Sequence, residues 1–279
     1  MHTDLIFSLA LLCQVIIVSI WLPARIRANA REMLDTHPAA DYPRLYPRSP
    51  AYYERALVHF SWINWAIAAL GLFAWMVFNL DESRSDYTGV AWGLFMLQGL
   101  TFVLLEVFAF RTWKLMREAD DRPRRTAILK PRRLLDIVSP TQLALLGASY
   151  LSFAGFTLFI SQLDLPWFSA LANLLVLGGG YCMLAALLYW QWSGGRRDPY
   201  IAEQDHLRRI RYLVRQAVFV CVALTAYAVV TITLQAFELR EFKPLAMSLY
   251  CQLLAVGAWF SIYQPTRINF DVYRELPGQ

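Results

Sequence analysis

A single carboxylate, Glu106, stands inside the run TFVLLEVFAF (Thr101 to Phe110), which otherwise reads as lipid-facing helix. It is the only acidic residue clearly within an apolar span, and no Lys or Arg lies in the interior of one. Ionisable groups within a bilayer are costly and mark ion paths, proton relays and binding sites. Glu106 is placed about four residues from the cytoplasmic end of its span, roughly 6 Å below the interface at 1.5 Å per residue. His59 falls at a similar depth at the start of the preceding span. A short loop joins the two spans, so antiparallel packing would set Glu106 and His59 at one level. Gly99, seven residues before Glu106, offers close approach on the same face. Burial would raise the Glu pKa and lower the His pKa, and pairing would oppose both shifts. Such a couple reads either as a static polar lock between two helices or as a proton, cation or ligand site.

Four uncharged polar residues complete the candidate binding set: Asn64, Gln98, Thr225 and Gln252. Three of them sit on faces of small and polar residues at 3–4 spacing, namely Ser61, Asn64, Ala68 and Gly71; Cys221, Thr225, Ala228 and Gln235; and Ser248, Gln252 and Ala255. Similar faces carry Ala148, Ser152 and Gly155, and Gly178, Cys182 and Ala186. Faces of this kind let helices approach and hydrogen-bond across the contact. Lined up, they would instead form a polar path. The run Gly178-Gly179-Gly180 before Tyr181 marks a kink or a close helix contact.

Other chemistries lack their residues. A retinal Schiff base needs a lysine within a span, and Lys114, Lys130 and Lys243 all lie outside. No HExxH, GxSxG or GxxxxGK[ST] pattern occurs. Of His2, His37, His59 and His206 only His59 is in a span, so a transmembrane histidine pair for haem is not available within one chain. Cys13, Cys182, Cys221 and Cys251 all lie in apolar spans without a CxxC pair, and read as structural. No catalytic residue, metal ligand or cofactor is assigned.

The elements that must position these groups follow from hydropathy. Hydrophobic residues make up 57% of the 279, above the 45–50% usual in soluble domains. Apolar runs at 5–22, 57–78, 89–110, 141–161, 168–191, 214–236 and 245–263 are each about the length that crosses 30 Å of hydrocarbon as a helix. The expected fold is therefore all-α: a polytopic membrane protein with seven transmembrane helices in one bundle domain spanning 1–279. One N-terminal helix is followed by three hairpins. The first span lacks a basic segment before it and an A-x-A site after it, so it reads as a reverse signal-anchor.

Charge sets the orientation. Of the 26 Lys and Arg, 23 fall in 22–57, 111–140, 193–215 and the tail from 264, and only Arg84, Arg240 and Lys243 fall on the other side. By the positive-inside rule the chain is expected N-out and C-in. The same asymmetry accounts for the net charge of +5 without nucleic acid. Residues 23–56 and 111–140 are expected as cytoplasmic basic loops, and 264–279 as a cytoplasmic tail. Within the first, Ala24–Leu34 reads as a continuation of the first helix, and 41–55, with Tyr-Pro-Arg twice, as an extended linker. Arg124, Arg125, Lys130, Arg132 and Arg133 interleave with Ile and Leu and are placed to meet anionic lipid headgroups. Asp205 is expected to cap the sixth helix.

The abundance of Arg over Lys fits a GC-rich bacterial genome, and the expected location is the bacterial cytoplasmic membrane. The leading expectation is a non-enzymatic membrane-embedded subunit, scaffold or sensor with a membrane-protein partner. Its rivals are a small-solute, ion or proton carrier using Glu106 and the polar faces, and a lipid-acting membrane enzyme built on Glu106, His59 and Asp136.

Overall fold

The apolar runs fold into helices, and no strand occurs among the described residues. The computed structural model describes residues 2–80, 88–120, 134–193, 199–201, 203–263 and 269–274. The helices are α1 (His2–Gln14), continued by a π-helical segment (Val15–Trp21) into α2 (Leu22–Thr36), then α3 (Pro50–Leu80), α4 (Thr88–Glu118), α5 (Pro140–Ser161), α6 (Ala170–Trp192), α7 (Glu203–Ala236) and α8 (Lys243–Tyr263). Among the described residues, six stretches are long and apolar enough to cross a membrane: Leu5–Thr36, Pro50–Leu80, Trp92–Glu118, Pro140–Ser161, Ala170–Trp192 and Gln204–Ala236. The seventh expected span, 245–263, is a helix, α8, but is not among the six. Large apolar side chains cover much of the outer surface: Leu151, Leu171 and Val176 are 71%, 67% and 77% exposed. A surface of that kind suits hydrocarbon and not water.

Local sequence sets several boundaries. Ser139 caps α5 in a reciprocal box with Gln142, ahead of Pro140 at the first helical position. Ser169 caps α6 through the Ala172 N–H. Asp205, expected as a cap, lies inside the first turn of α7, which begins at Glu203. Its carboxylate instead accepts the Asn269 N–H at 3.0 Å and faces Arg208 at 3.5 Å. At its far end α7 closes with Leu239 N–H on the Leu234 carbonyl and Glu238 N–H on the Gln235 carbonyl, with Glu238 at φ 62. These are the bonds of a Schellman motif.

The π segment has a cause in the sequence. Pro23 has no N–H to return to the Ser19 carbonyl in the α register. A shift to i→i+5 bonding just before it relieves the mismatch, as in the Leu22 N–H bond to the Ile17 carbonyl. Around this first helix pack α3, α4 and α8. Trp75 and Asn79 lie beside Ser8, Gly71 beside Val15, and Ser61 beside Arg27, so α3 runs antiparallel to it. Ser248 sits at Ala10 and Trp259 at Trp21, so α8 runs parallel to it.

A second group comprises α5, α6 and α7. Ile137 packs near Ile210, and Ile160 near Ile232, so α5 and α7 are parallel, with α6 antiparallel between them. The groups meet along α7 and α8. There Tyr227 stacks on Tyr250 at 4.6 Å, and Tyr212 donates to the Phe260 carbonyl at 2.6 Å. Gly257 faces the Phe219 ring, where a Cβ would lie 2.3 Å from the ring edge. Only glycine allows that approach.

Within 23–56, expected as a basic loop, helix runs to Thr36 and resumes at Pro50. Residues 38–46 between them form successive tight turns and not an extended linker. Likewise α4 continues past the expected loop start at Arg111 to Glu118. The α6 helix passes through Gly178-Gly179-Gly180 without interruption, and only Gly178 makes the expected close contact, with the Tyr150 hydroxyl.

Candidate functional site

The deepest polar cluster is centred on Gln98. Its Oε1 accepts from Gln14 Nε2 at 2.8 Å, and its Nε2 donates to Ser19 Oγ at 3.0 Å. All three side chains are buried. On an α-helix Gln14 and Ser19, five residues apart, would face directions about 140° apart. The i→i+5 geometry of the π segment brings both onto one face, where they hold the Gln98 amide at its two ends. One level along, Thr101 donates to Asn64 Oδ1 at 2.6 Å, while Asn64 Nδ2 donates to the Phe60 carbonyl at 2.8 Å. Nearer the start of α1, Ser248 and Gln252 both donate to the Ala10 carbonyl, at 3.0 and 2.9 Å. Gln14 Oε1 is buried with no hydrogen-bond partner among the described residues. These groups are amides and hydroxyls. They tie helices together and do not titrate.

A pocket opens beside the cluster. A pocket of about 50 Å³ is lined by Ser19, Pro23, Arg27, Ser61, Asn64 and Trp65. It shares Arg27, Ser61 and Trp65 with a larger groove of about 380 Å³, which adds Arg31, Leu57, Val58 and Trp62. Arg27 Nη1 donates to Ser61 Oγ at 3.3 Å across the junction. The groove therefore runs between α2 and α3 from a basic rim to the Asn64 level.

The second helix group has one polar hub. The Tyr181 hydroxyl lies 2.7 Å from Thr225 Oγ1, 3.2 Å from the Cys221 carbonyl and 3.3 Å from Ser149 Oγ. Thr225 donates to the Cys221 carbonyl at 2.9 Å. Tyr181 and Cys221 border a cavity of about 300 Å³ whose other walls, such as Leu146, Leu188 and Val214, are apolar.

A third feature covers the ends of α2, α4 and α7. The turn Phe270–Tyr273 packs with Tyr42, Tyr46, Met116 and Tyr200 in one aromatic cluster. The two arginines within it lie on rings: Arg274 is 4.9 Å from the Tyr42 ring centre and Arg44 is 5.7 Å from that of Tyr200. Arg274 also donates to the Tyr42 hydroxyl at 2.7 Å, and that bond raises its guanidinium above the ordinary value. Burial pushes the Tyr46 hydroxyl up as well. Arg44 N–H donates to the Tyr273 carbonyl at 3.3 Å, and His37 lies on Phe270 at 3.9 Å between ring centres. The Tyr-Pro-Arg repeat and residues 269–274, separate in sequence, are thus parts of one cap.

Of the residues singled out from sequence, Asn64, Gln98, Thr225 and Gln252 all carry interhelical ties, but not in one place. Asn64 and Gln98 belong to the α1–α3–α4 cluster, Gln252 to the α1–α8 contact, and Thr225 to the Tyr181 hub. His59 and Glu106 are both exposed, and no hydrogen bond or ion pair joins the two. The Asn64–Thr101 bond sets the register of α3 against α4, and it does bring residues 59 and 106 to one height. Each, however, stands five residues from the contact, about 140° around its helix, and so points away from the shared face. Gly99 has open space where a Cβ would stand. Asp136 is exposed. Arg124, Arg125, Lys130, Arg132 and Arg133 lie outside the described residues.

Gln14, Ser19, Arg27 and Tyr181 are the groups that sequence reasoning did not assign to the site. Gln14 and Ser19 within an apolar run, followed by Pro23, were the available signal for a π segment with a polar face. Among the described residues, no three His, Cys, Asp or Glu side chains gather as metal ligands do. Comparison with protein-family models, with curated proteins and with solved structures finds no match for this chain.

Proposed function

We propose that this chain is a non-enzymatic, membrane-embedded subunit or scaffold of a bacterial cytoplasmic membrane, with seven spans, N-out and C-in, working through its cytoplasmic face. The seven-span reading is supported by α8, which lies parallel to α1 along most of the length of that spanning helix. It is supported too by the alternation of direction from α3 through α8. The distribution of 23 basic residues against 3 supports the orientation.

The observation that carries the functional reading is the aromatic cap. Turns from residues 38–46, the end of α4, Tyr200 and the turn Phe270–Tyr273 converge at the basic end of the bundle. Elements that far apart in sequence form an ordered, arginine-bearing surface suited to a partner. The carrier reading has one observation in its favour, the pocket that reaches Asn64. Against it, Gln98, Thr225 and Gln252 tie other helices together and line neither the α2–α3 groove nor the cavity beside Tyr181. The enzyme reading would need His59, Glu106 or Asp136 to converge on a pocket, and none of them lines the α2–α3 groove or the cavity beside Tyr181.

The test is photocrosslinking in intact membranes. A crosslinking residue at Ser49, exposed beside the cap, is expected to give a discrete adduct heavier than the 32.1 kDa chain. The same group at Leu163, exposed in the opposite turn, is expected to give none. Adducts absent from Ser49, or equally abundant from both positions, reject the scaffold reading.

A further inference from the structure

We propose that the groove between α2 and α3 is a binding site for the headgroup of an anionic phospholipid, with Arg27 and Arg31 as the anion-binding pair. Arg27 and Arg31 are one helical turn apart on one face of α2 and both line the groove. A guanidinium carries five N–H donors in a planar fork that matches a phosphate. Among the described residues the only hydrogen bond of the Arg27 side chain goes to Ser61 Oγ, and no carboxylate pairs with either arginine. Two cations side by side with most donors unfilled, and no acid in the groove lining, select an anion.

The rest of the lining selects a lipid. Trp62 and Trp65 are 71% and 59% exposed on the α3 wall, and Val58 beside them is 48% exposed. Tryptophan gathers where headgroups meet hydrocarbon, with its ring in the apolar zone and its N–H toward polar groups. Below the arginines Ser61 and Asn64 offer small polar groups, and Ile20 and Pro23 an apolar wall. The order from rim to floor is charge, then indole, then short polar and apolar groups. This matches phosphate, glycerol ester and upper acyl chain. Basic pockets between spans on the cytoplasmic side are where anionic headgroups bind. The proposal rests on the reading that α1 to α3 cross the membrane with this end at the cytoplasmic interface. It does not rest on the scaffold role.

Native mass spectrometry of the detergent-solubilised chain, titrated separately with phosphatidylglycerol and phosphatidylcholine, reads the site. One phosphatidylglycerol is expected to bind about tenfold more tightly than phosphatidylcholine, since each arginine contributes a several-fold preference. R27Q/R31Q is expected to abolish the preference. R27K/R31K, which keeps the charge and loses the fork, should retain part of it and shows that loss is not misfolding. Neutralising Arg124, Arg125, Lys130, Arg132 and Arg133 together should leave this one tight lipid in place. Equal affinity for the two lipids overturns the proposal. So does a preference that survives R27Q/R31Q but disappears with the loop variant. Displacement of phosphatidylglycerol by submillimolar inorganic phosphate would make the occupant a free anion and overturn the lipid assignment.

Discussion

The helices around α1 and the helices α5 to α7 solve the same packing problem differently. Around α1, side chains bond to side chains across helices: Ser8 to Asn79, Gln14 to Gln98, Gln98 to Ser19 and Thr101 to Asn64. In α5 to α7 the contact is mostly apolar and aromatic, through Phe153, Ile160, Leu177 and Ile232, with polar ties at two tyrosines, Tyr150 and Tyr181. Lipid tails are as apolar as leucine, so apolar contact alone gives membrane helices little drive to associate. The α1 group gains specificity from amides that have one satisfactory register. The α5–α7 group relies on shape. The irregular helix belongs to the first group because a regular one could not point both Gln14 and Ser19 at Gln98.

The sharpest way to break this contrast is Gln98→Ala. It removes two interhelical bonds and leaves the Gln14 amide and Ser19 hydroxyl buried without their partner. Bonds of this kind in membranes average about 0.6 kcal/mol, and a buried orphan costs about 1–3 kcal/mol more. A loss of about 2–4 kcal/mol is expected in denaturant-induced unfolding in mixed micelles. Amide exchange should rise in α1 and α4 and stay unchanged in α6. A uniform rise would show that the two groups are not separate units of stability.

Tyr181→Phe tests the other side. The ring stays in place, and Thr225 keeps its bond to the Cys221 carbonyl, so no buried donor is orphaned. The expected loss is about 1 kcal/mol, with exchange rising in α6 and not in α4. If Tyr181→Phe costs as much as Gln98→Ala, the second group is not held by shape, and the contrast fails.

The expectation of an all-helical, multi-pass chain came from hydropathy because apolar length is a one-dimensional property. The positions of Asn64, Gln98, Thr225 and Gln252 were legible for the same reason: polar groups in spans stand out against their neighbours. Which of them meet was not legible, since that depends on rotation and register. The π segment shows the difficulty. Gln14 and Ser19 share no α-helical face, so a search at 3–4 spacing passes over them, and only Pro23 hints at the altered geometry. The cap was hidden for another reason. Its partners, Tyr42 and Tyr273, are 231 residues apart and carry no periodic pattern.

The smallest expected effect concerns the carboxylate that stands out most in the sequence. The Asn64–Thr101 bond fixes the α3–α4 register, and from it the outward direction of His59 and Glu106 follows by counting residues. Both lie on the exposed side of the group whose buried side carries the amide network. Glu106→Gln and His59→Ala should therefore act independently of each other, with a coupling near zero. The double variant should be additive. A coupling above about 1 kcal/mol would mean that the two helices turn in the membrane to bring these groups together. The Asn64–Thr101 bond would then have to break, and its register would not be the one the protein keeps. Additive values would leave the buried amides as the part of this group that specifies the α3–α4 register, although the one ionisable residue in the run draws attention first.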